Sequence, residues 1–427
     1  MGRPARRYAV GALERRLGRI ARNSAHHNEK RVDNRLVTYG APTQRSWFRV
    51  ALAMFAAGWG ANQFAPMLLV YQAERGLTEQ MVTGMFAAYV GGLVPALLWA
   101  AWASAHRGKR PMVRVSMTLM MLGSLLLYMG DTQPWLLFVG RITSGIGIGF
   151  VMGPGTAWIK ELSADKPLGT GARRSTVALT AGFATGPVIS GFIAEFLPGP
   201  TLNPYVAHMV LQLVAALVAW ETPELDAGDH PTPSARAVID HVRGEWFWKI
   251  LGPSAPWVFG AATVAFAIVP SLVGPMPGLP RIFAAGLTAG LTLGTSVLIQ
   301  PTVRRSAATD PGRIPPLGMA VTALGMVIAT GSAIIPHPAW LVPAAIVLGS
   351  AHGLLVVGSI TIVEHHTPLH LMASTTAVVY CLTYIGFLAP YWVSMLSLFI
   401  PVWVVLAVGV LVAFATANWL RLVRRLA

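Results

Sequence analysis

The 427-residue sequence has one cysteine, Cys381, and only 17 acidic side chains. A lone cysteine excludes an intramolecular disulfide framework, a cysteine-based zinc site and an iron–sulfur cluster, so packing alone must hold the fold. Charged residues of both signs make up 11% of the chain, against about a quarter in a soluble domain, and a soluble reading is excluded. No Walker-type GxxxxGK[ST] sequence is present, which excludes an ATP-driven pump within this chain. GxSxG and HExxH are also missing, and the apolar runs hold almost no acids, so a membrane-embedded enzyme is disfavoured. The pairs His26–His27 and His365–His366 are adjacent rather than one helical turn apart, so neither a metal nor any other cofactor is expected.

What is present is apolar length. Hydrophobic residues are 54% of the chain, and the net charge is +15. That charge resembles a nucleic-acid signal only until it is mapped. Residues 1–46 carry a net +8, and Arg421, Arg424 and Arg425 close the chain, so eleven of the fifteen excess charges lie in two tails and no nucleic-acid partner is expected. A helix rising about 1.5 Å per residue needs about 20 apolar residues to cross about 30 Å of hydrocarbon. Twelve runs approach or exceed that length: 47–71, 81–103, 112–129, 135–158, 175–197, 203–220, 246–273, 282–303, 315–335, 340–363, 371–398 and 402–420. The sequence therefore predicts an all-α polytopic membrane protein of twelve transmembrane helices in two six-helix bundles. Its expected parts are a basic tail (1–46), a first bundle (47–220), a polar linker (221–245), a second bundle (246–420) and a short basic tail (421–427).

Orientation follows from the cations, because basic loops stay on the cytoplasmic side. With both termini inside, 29 of the 32 Lys and Arg lie on the inner side, Arg75 and Arg281 lie outside, and Arg141 falls within a helix. This predicts a multi-pass protein of the plasma (inner) membrane with both termini cytoplasmic, the lipid bilayer being its first partner. The arginine-rich stretch 3–22 alternates with apolar residues; it either lies on an anionic leaflet or forms a solvated tail, and without an apolar core it is no secretory signal.

An ion inside the bilayer costs at least about 2.5 kcal/mol on insertion scales, which makes Arg141 a functional candidate. It sits six residues inside the predicted outer end of the fourth helix, where it either snorkels to the headgroups or faces an aqueous cavity. Polar and aromatic residues deep in the helices supply the other candidates for a substrate cavity: Asn62, Gln63, Tyr89, Gln212, Trp257, His352, Tyr380 and Tyr384. The first helix lacks an acid. His208 and His352, whose imidazoles titrate near neutral pH, join Arg141 as proton-coupling candidates. Gly182, Gly186, Pro187 and Gly191 in the fifth helix combine a small-residue face with a kink, suited to tight packing or to a moving interface.

These residues resemble the major facilitator superfamily. Residues 137–149, with Arg141, Gly145 and Gly147, look like its fourth-helix motif, although Ser144 replaces the usual Gln. Residues 182–191 resemble the antiporter motif GxxxGPxxGG and depart only at Ser190. Residues 101–113 resemble the loop motif GxLaDrxGrkxxl but keep only Gly108, Lys109 and Arg110, with Ala105 in place of the acid. The resemblance covers about residues 47–425. It implies two bundles around a central cavity, alternating access by rocking, and the twelve-helix drug/proton antiporter group. Export of small amphipathic or drug-like molecules coupled to protons is the expectation it carries, by a chain expected to be monomeric; import or uniport of a small metabolite is the alternative. It also implies an inner gate in which Glu161 pairs with Arg107 or Arg110, and Glu364 with Arg304 or Arg305, when the cytoplasmic mouth is closed. The bland alternative is that these are solvated charges at helix ends.

Overall fold

The structure, a computed structural model, describes residues 45–167, 169–224, 233–275 and 278–426. The leader 1–44 and the middle of the linker, 225–232, lie outside the described residues, and with them the expected membrane-binding stretch and most of the basic tail. The described residues form no β-strand. They build twelve spans: α1 (Ser46–Asn62 continued by Phe64–Arg75), α2 (Glu79–Arg107), α3 (Lys109–Met129), α4 (Trp135–Glu161), α5 (Thr170–Phe196) and α6 (Asn203–Ala219) form the N-half. The C-half consists of α7 (Phe247–Leu272), α8 (Arg281–Thr309), α9 (Ile314–Ile334), α10 (Leu341–His366), α11 (Met372–Leu396) and α12 (Val402–Leu426). Ten of the twelve are helical runs long and apolar enough to cross a membrane; the 17-residue α6 and the divided α1 complete the expected number. We call the face where α1 begins and α12 ends basal, and the opposite face distal.

Three details differ from the sequence expectation. The run 47–71 is two helices meeting at Gln63, because Pro66 has no N–H for the carbonyl of Asn62. The spans α2 and α8 are 29 residues each and overrun 81–103 and 282–303, since apolar length marks hydrocarbon depth whereas the helical bond ladder continues into polar residues. The linker contains a helix, Ala235–Val242, whose N-terminus is capped by Ser234 Oγ accepting from Ala237 N–H at 3.2 Å.

The two halves repeat one packing scheme. In the first, α1 packs on α5, and α4 on both α2 and α3; in the second, α7 packs on α11, and α10 on both α8 and α9. Backbones approach closely where the sequence places glycine. A Cβ on Gly182 would lie 2.1 Å from the Phe55 carbonyl oxygen, and one on Gly386 would lie 2.3 Å from the backbone nitrogen of Gly260. Proline repeats the scheme as well. In α5, Pro187 releases the carbonyl of Phe183, and Asn62 Nδ2 of α1 donates to it at 3.4 Å. In α11, Pro390 deprives the carbonyl of Gly386 of its α-helical donor; Ala389 N–H takes it in a 3-10 turn, and Thr263 Oγ1 of α7 also donates to it at 3.2 Å. Each half thus repairs a broken helix with a side chain from its neighbour, as a water-free interior requires.

Between the halves runs a seam where α5 meets α8, α2 meets α11 and α1 meets α8. Distal to mid-depth it is closed by polar contacts: Gln80 Nε2 donates to the Ser394 carbonyl at 3.1 Å, Thr83 Oγ1 and Ser394 Oγ are 2.8 Å apart, and Glu195 Oε2 of α5 accepts from Ile282 N–H of α8 at 2.9 Å. Toward the basal face the contacts thin to Tyr384 Oη with Met152 Sδ at 3.4 Å and Cys381 Sγ with the Val94 carbonyl at 4.0 Å.

Candidate functional site

At mid-depth the seam is an aromatic cluster drawn from both halves. Phe86 of α2 stacks on Phe387 of α11 at 5.3 Å, and Tyr89 lies 5.7 Å from the same ring. Phe387 is 4.9 Å from Phe259 of α7, which stacks on Tyr384 at 4.4 Å. A charged or titratable group stands at each end of this array. Arg141 lies on the N-half side, its guanidinium 4.5 Å from the Tyr89 ring, 4.9 Å from Phe64 and 5.6 Å from Phe86. His352 lies on the C-half side, 5.1 Å from Phe259, with Nδ1 2.7 Å from Ser296 Oγ. Of the sequence-selected residues, Arg141, Tyr89, Tyr384 and His352 therefore form one continuous array across the seam.

Neither expected position of Arg141 is found. Its side chain is fully buried, so it neither snorkels to the distal surface nor faces open water. Nη1 donates to the Ala61 carbonyl at 3.0 Å, whereas Nε and Nη2 have no hydrogen-bond partner. Aromatic faces offset part of the cation's lost hydration.

Other selected residues belong to the scaffold of one half. Gln63 Nε2 donates to Ser124 Oγ at 3.2 Å, Ser124 Oγ lies 2.6 Å from His208 Nδ1, and His208 Nε2 lies 3.0 Å from the Ala56 carbonyl. A carbonyl only accepts, so His208 is the neutral Nε2–H tautomer with both nitrogens satisfied. Asn62 serves the Phe183 carbonyl, and Gln212 is buried in α6. Trp257 packs toward α12, 3.9 Å from where a Cβ on Gly409 would lie, rather than on the seam. Tyr380 lines an apolar pocket between α7, α10 and α11, together with Phe259 and Ser359. In the fifth-helix motif, Gly182 and Gly186 abut α1 within the N-half, while Gly191 abuts Ile282 and Gly286 of α8 across the seam.

At the basal ends, Lys109 Nζ pairs with Glu161 at 2.8 Å, and Glu224 of the linker accepts from the backbone N–H groups of Lys109 and Arg110 at the start of α3. Arg110 Nη2 donates to the Trp220 carbonyl at 3.2 Å, and Arg107 lies 5.9 Å from the Trp99 ring. Glu364, Arg304 and Arg305 are exposed, and among the described residues no ion pair joins them. Burial pushes the Glu224 carboxyl above its ordinary range, against the lowering effect of those N–H groups and of Lys109. On the distal face, Asp131 bonds to Arg75 Nε at 2.9 Å. Burial raises the Asp131 carboxyl, but the hydrogen bonds from Arg75 and Thr201 and the charge of Arg75 outweigh it and hold the group below its ordinary range.

The residues that sequence reasoning missed are Phe86, Phe259, Phe266 and Phe387, because a phenylalanine in an apolar run reads alike whether it meets lipid or a seam. Glu224 was missed because it lies in a polar linker that reads as solvated; the one signal for it was Ala105, the loop motif's absent acid.

Residues 50–390 match the sequence pattern of the Major Facilitator Superfamily. The chain is 26% identical over 172 residues to Multidrug resistance protein 1 of Bacillus subtilis (strain 168), a match covering 40% of this chain and 44% of that relative, so it spans less than half of the relative's length. Its fold is similar to that of the nucleoside transporter NupG, with a TM-score of 0.73 at 11% identity over 88% of this chain and 100% of the other. It is also similar to a peptide transporter POT in complex with sulfate, with a TM-score of 0.72 at 13% identity over 91% of this chain and 95% of the other.

Proposed function

We propose a specific activity for this chain, which belongs to the Major Facilitator Superfamily and is a secondary transporter rather than an enzyme: export of small amphipathic or drug-like molecules in exchange for protons, by alternating access at the aromatic seam. The observation that carries the reading is the array from Arg141 to His352, in which rings from α2, α7 and α11 meet between two groups able to handle charge. Such rings offer an adaptable apolar surface to flat or amphipathic ligands. The fifth-helix motif and the similarity to Multidrug resistance protein 1 support export of drug-like molecules.

In this reading the basal face is cytoplasmic, as the cation count argues, the membrane is the plasma membrane, and the chain works as a monomer. The halves then touch on the outer side, and rocking about mid-depth exposes the seam to one face at a time. His352 carries the proton. Its Nε2 has no hydrogen-bond partner, whereas both nitrogens of His208 are occupied. The inner gate uses Glu161 with the loop cations of the N-half, and Glu364 with Arg304 or Arg305 when the basal mouth closes.

Flux of a fluorescent amphipathic dye in everted and right-side-out vesicles, with and without an imposed pH gradient, tests this. The expected result is gradient-driven dye accumulation in everted vesicles that collapses with a protonophore. Equal flux in both orientations without a gradient would show facilitated diffusion instead.

A further inference from the structure

Arg141 stands alone electrostatically. Every acid among the described residues lies in a connection or within three residues of a span's end, so no carboxylate shares the interior with this guanidinium. It is fully buried, and the Ala61 carbonyl and three aromatic rings are its neighbours. The two nitrogens without a partner, Nε and Nη2, share one edge of the planar group. That edge presents two parallel N–H bonds, the fork that matches the two oxygens of a carboxylate. The rings flanking it belong to the seam: Phe86 and Tyr89 touch Phe387, and Phe86 also lies 6.3 Å from Phe266. Separating the halves at the distal face withdraws Phe387 and Phe266 and uncovers Phe86 and Tyr89 with Arg141 directly behind them.

We propose that Arg141 is the receptor for an anionic group on the transported molecule, so that the substrate is an amphipathic acid rather than an amphipathic cation. Its carboxylate takes the Nε–Nη2 edge, and its apolar body lies against Phe86 and Tyr89. A cation entering the same seam meets an unneutralised positive charge in a medium of low dielectric, where repulsion is strong. The proposal rests on the transport reading above, which it narrows to a class of substrate.

Binding to the full purified chain is measured calorimetrically at pH 7 with three probes of one shape: 2-naphthoate, 2-naphthamide and 2-naphthylmethylammonium. The acid is expected to bind at least tenfold more tightly than the amide, and the ammonium most weakly. Arg141→Gln removes the preference for the acid over the amide; Arg141→Lys keeps the charge but loses the fork, and retains only part of the preference. Equal binding of the three probes, tightest binding of the ammonium, no binding of any, or a preference that survives Arg141→Gln each overturns the proposal. The wild-type ranking needs no variant, so a misfolded Arg141→Gln protein leaves the test intact. Gradient-driven dye flux without any preference for the acid defeats this site and spares the transport reading; selective binding of naphthoate without such flux does the reverse.

Discussion

The two halves share a scaffold and differ at their buried histidines. Both imidazoles bond a serine through Nδ1, at 2.6 Å for His208 and 2.7 Å for His352. In the N-half the second nitrogen meets the Ala56 carbonyl and the ring is enclosed; in the C-half the second nitrogen has no partner and the ring lies on a seam phenylalanine. Two buried residues of one type thus differ in whether their hydrogen bonds are complete.

The shared scaffold can be broken hardest at its glycines. Gly182→Val and Gly386→Val each force a side chain into a neighbouring backbone, and neither variant is expected to give monodisperse protein on size exclusion. Gly153→Ala and Gly294→Ala, which meet nothing within 4 Å, are expected to behave as wild type. The histidines sharpen the difference between the halves. His208→Ala should cost about 2–4 kcal/mol, read as a lower unfolding temperature, because it opens a cavity and strands Ser124 and the Ala56 carbonyl. His352→Ala should cost about half as much yet remove gradient-driven flux; the reverse pattern would interchange the two roles. The proline repairs separate the halves once more: Asn62→Ala takes its side-chain donor from the Phe183 carbonyl and is expected to cost about 1–2 kcal/mol in thermal unfolding, whereas Thr263→Val is expected to cost less, because the Gly386 carbonyl keeps the Ala389 N–H.

A smaller effect is expected at the distal latch. Glu195→Gln removes a carboxylate from the positive end of α8, a change of about 0.3–1 kcal/mol, which should raise distal accessibility to thiol reagents twofold to fivefold. The smallest effects concern pH and oppose each other at the two faces. Asp131, held below its ordinary 3.8, contributes stability that is complete at neutral pH and is lost as pH falls through its folded-state value. Glu224, raised above its ordinary 4.5, protonates first in the folded state, so its contribution is complete below 4.5 and is lost as pH rises through the raised value. Unfolding temperature against pH for Asp131→Asn and Glu224→Gln should each lack its own limb.

The architecture was legible because hydrocarbon thickness sets a length that composition reveals, and twelve runs with a polar middle permit few other arrangements. Arg141 was legible as a candidate because an ion in an apolar run is rare, but its surroundings were not, since the rings that enclose it come from helices far apart in sequence. The correspondence of Gly182–Pro187 with Gly386–Pro390 is visible only in the packing, where each glycine meets the backbone of the first helix of its half and each proline leaves a carbonyl that this helix's side chain reaches. His208 and His352 were indistinguishable by sequence, since completeness of hydrogen bonding is a property of neighbours.

The carbonyls released by Pro187 and Pro390 have a mechanical consequence. A helix whose spare acceptor is held by the adjoining helix cannot flex at that point unless the adjoining helix travels with it or the bond is given up. Thus α5 is yoked to α1 and α11 to α7, and the prolines, which read as joints, act as rivets. Motion is thereby directed away from these two joints and toward the seam between the two blocks.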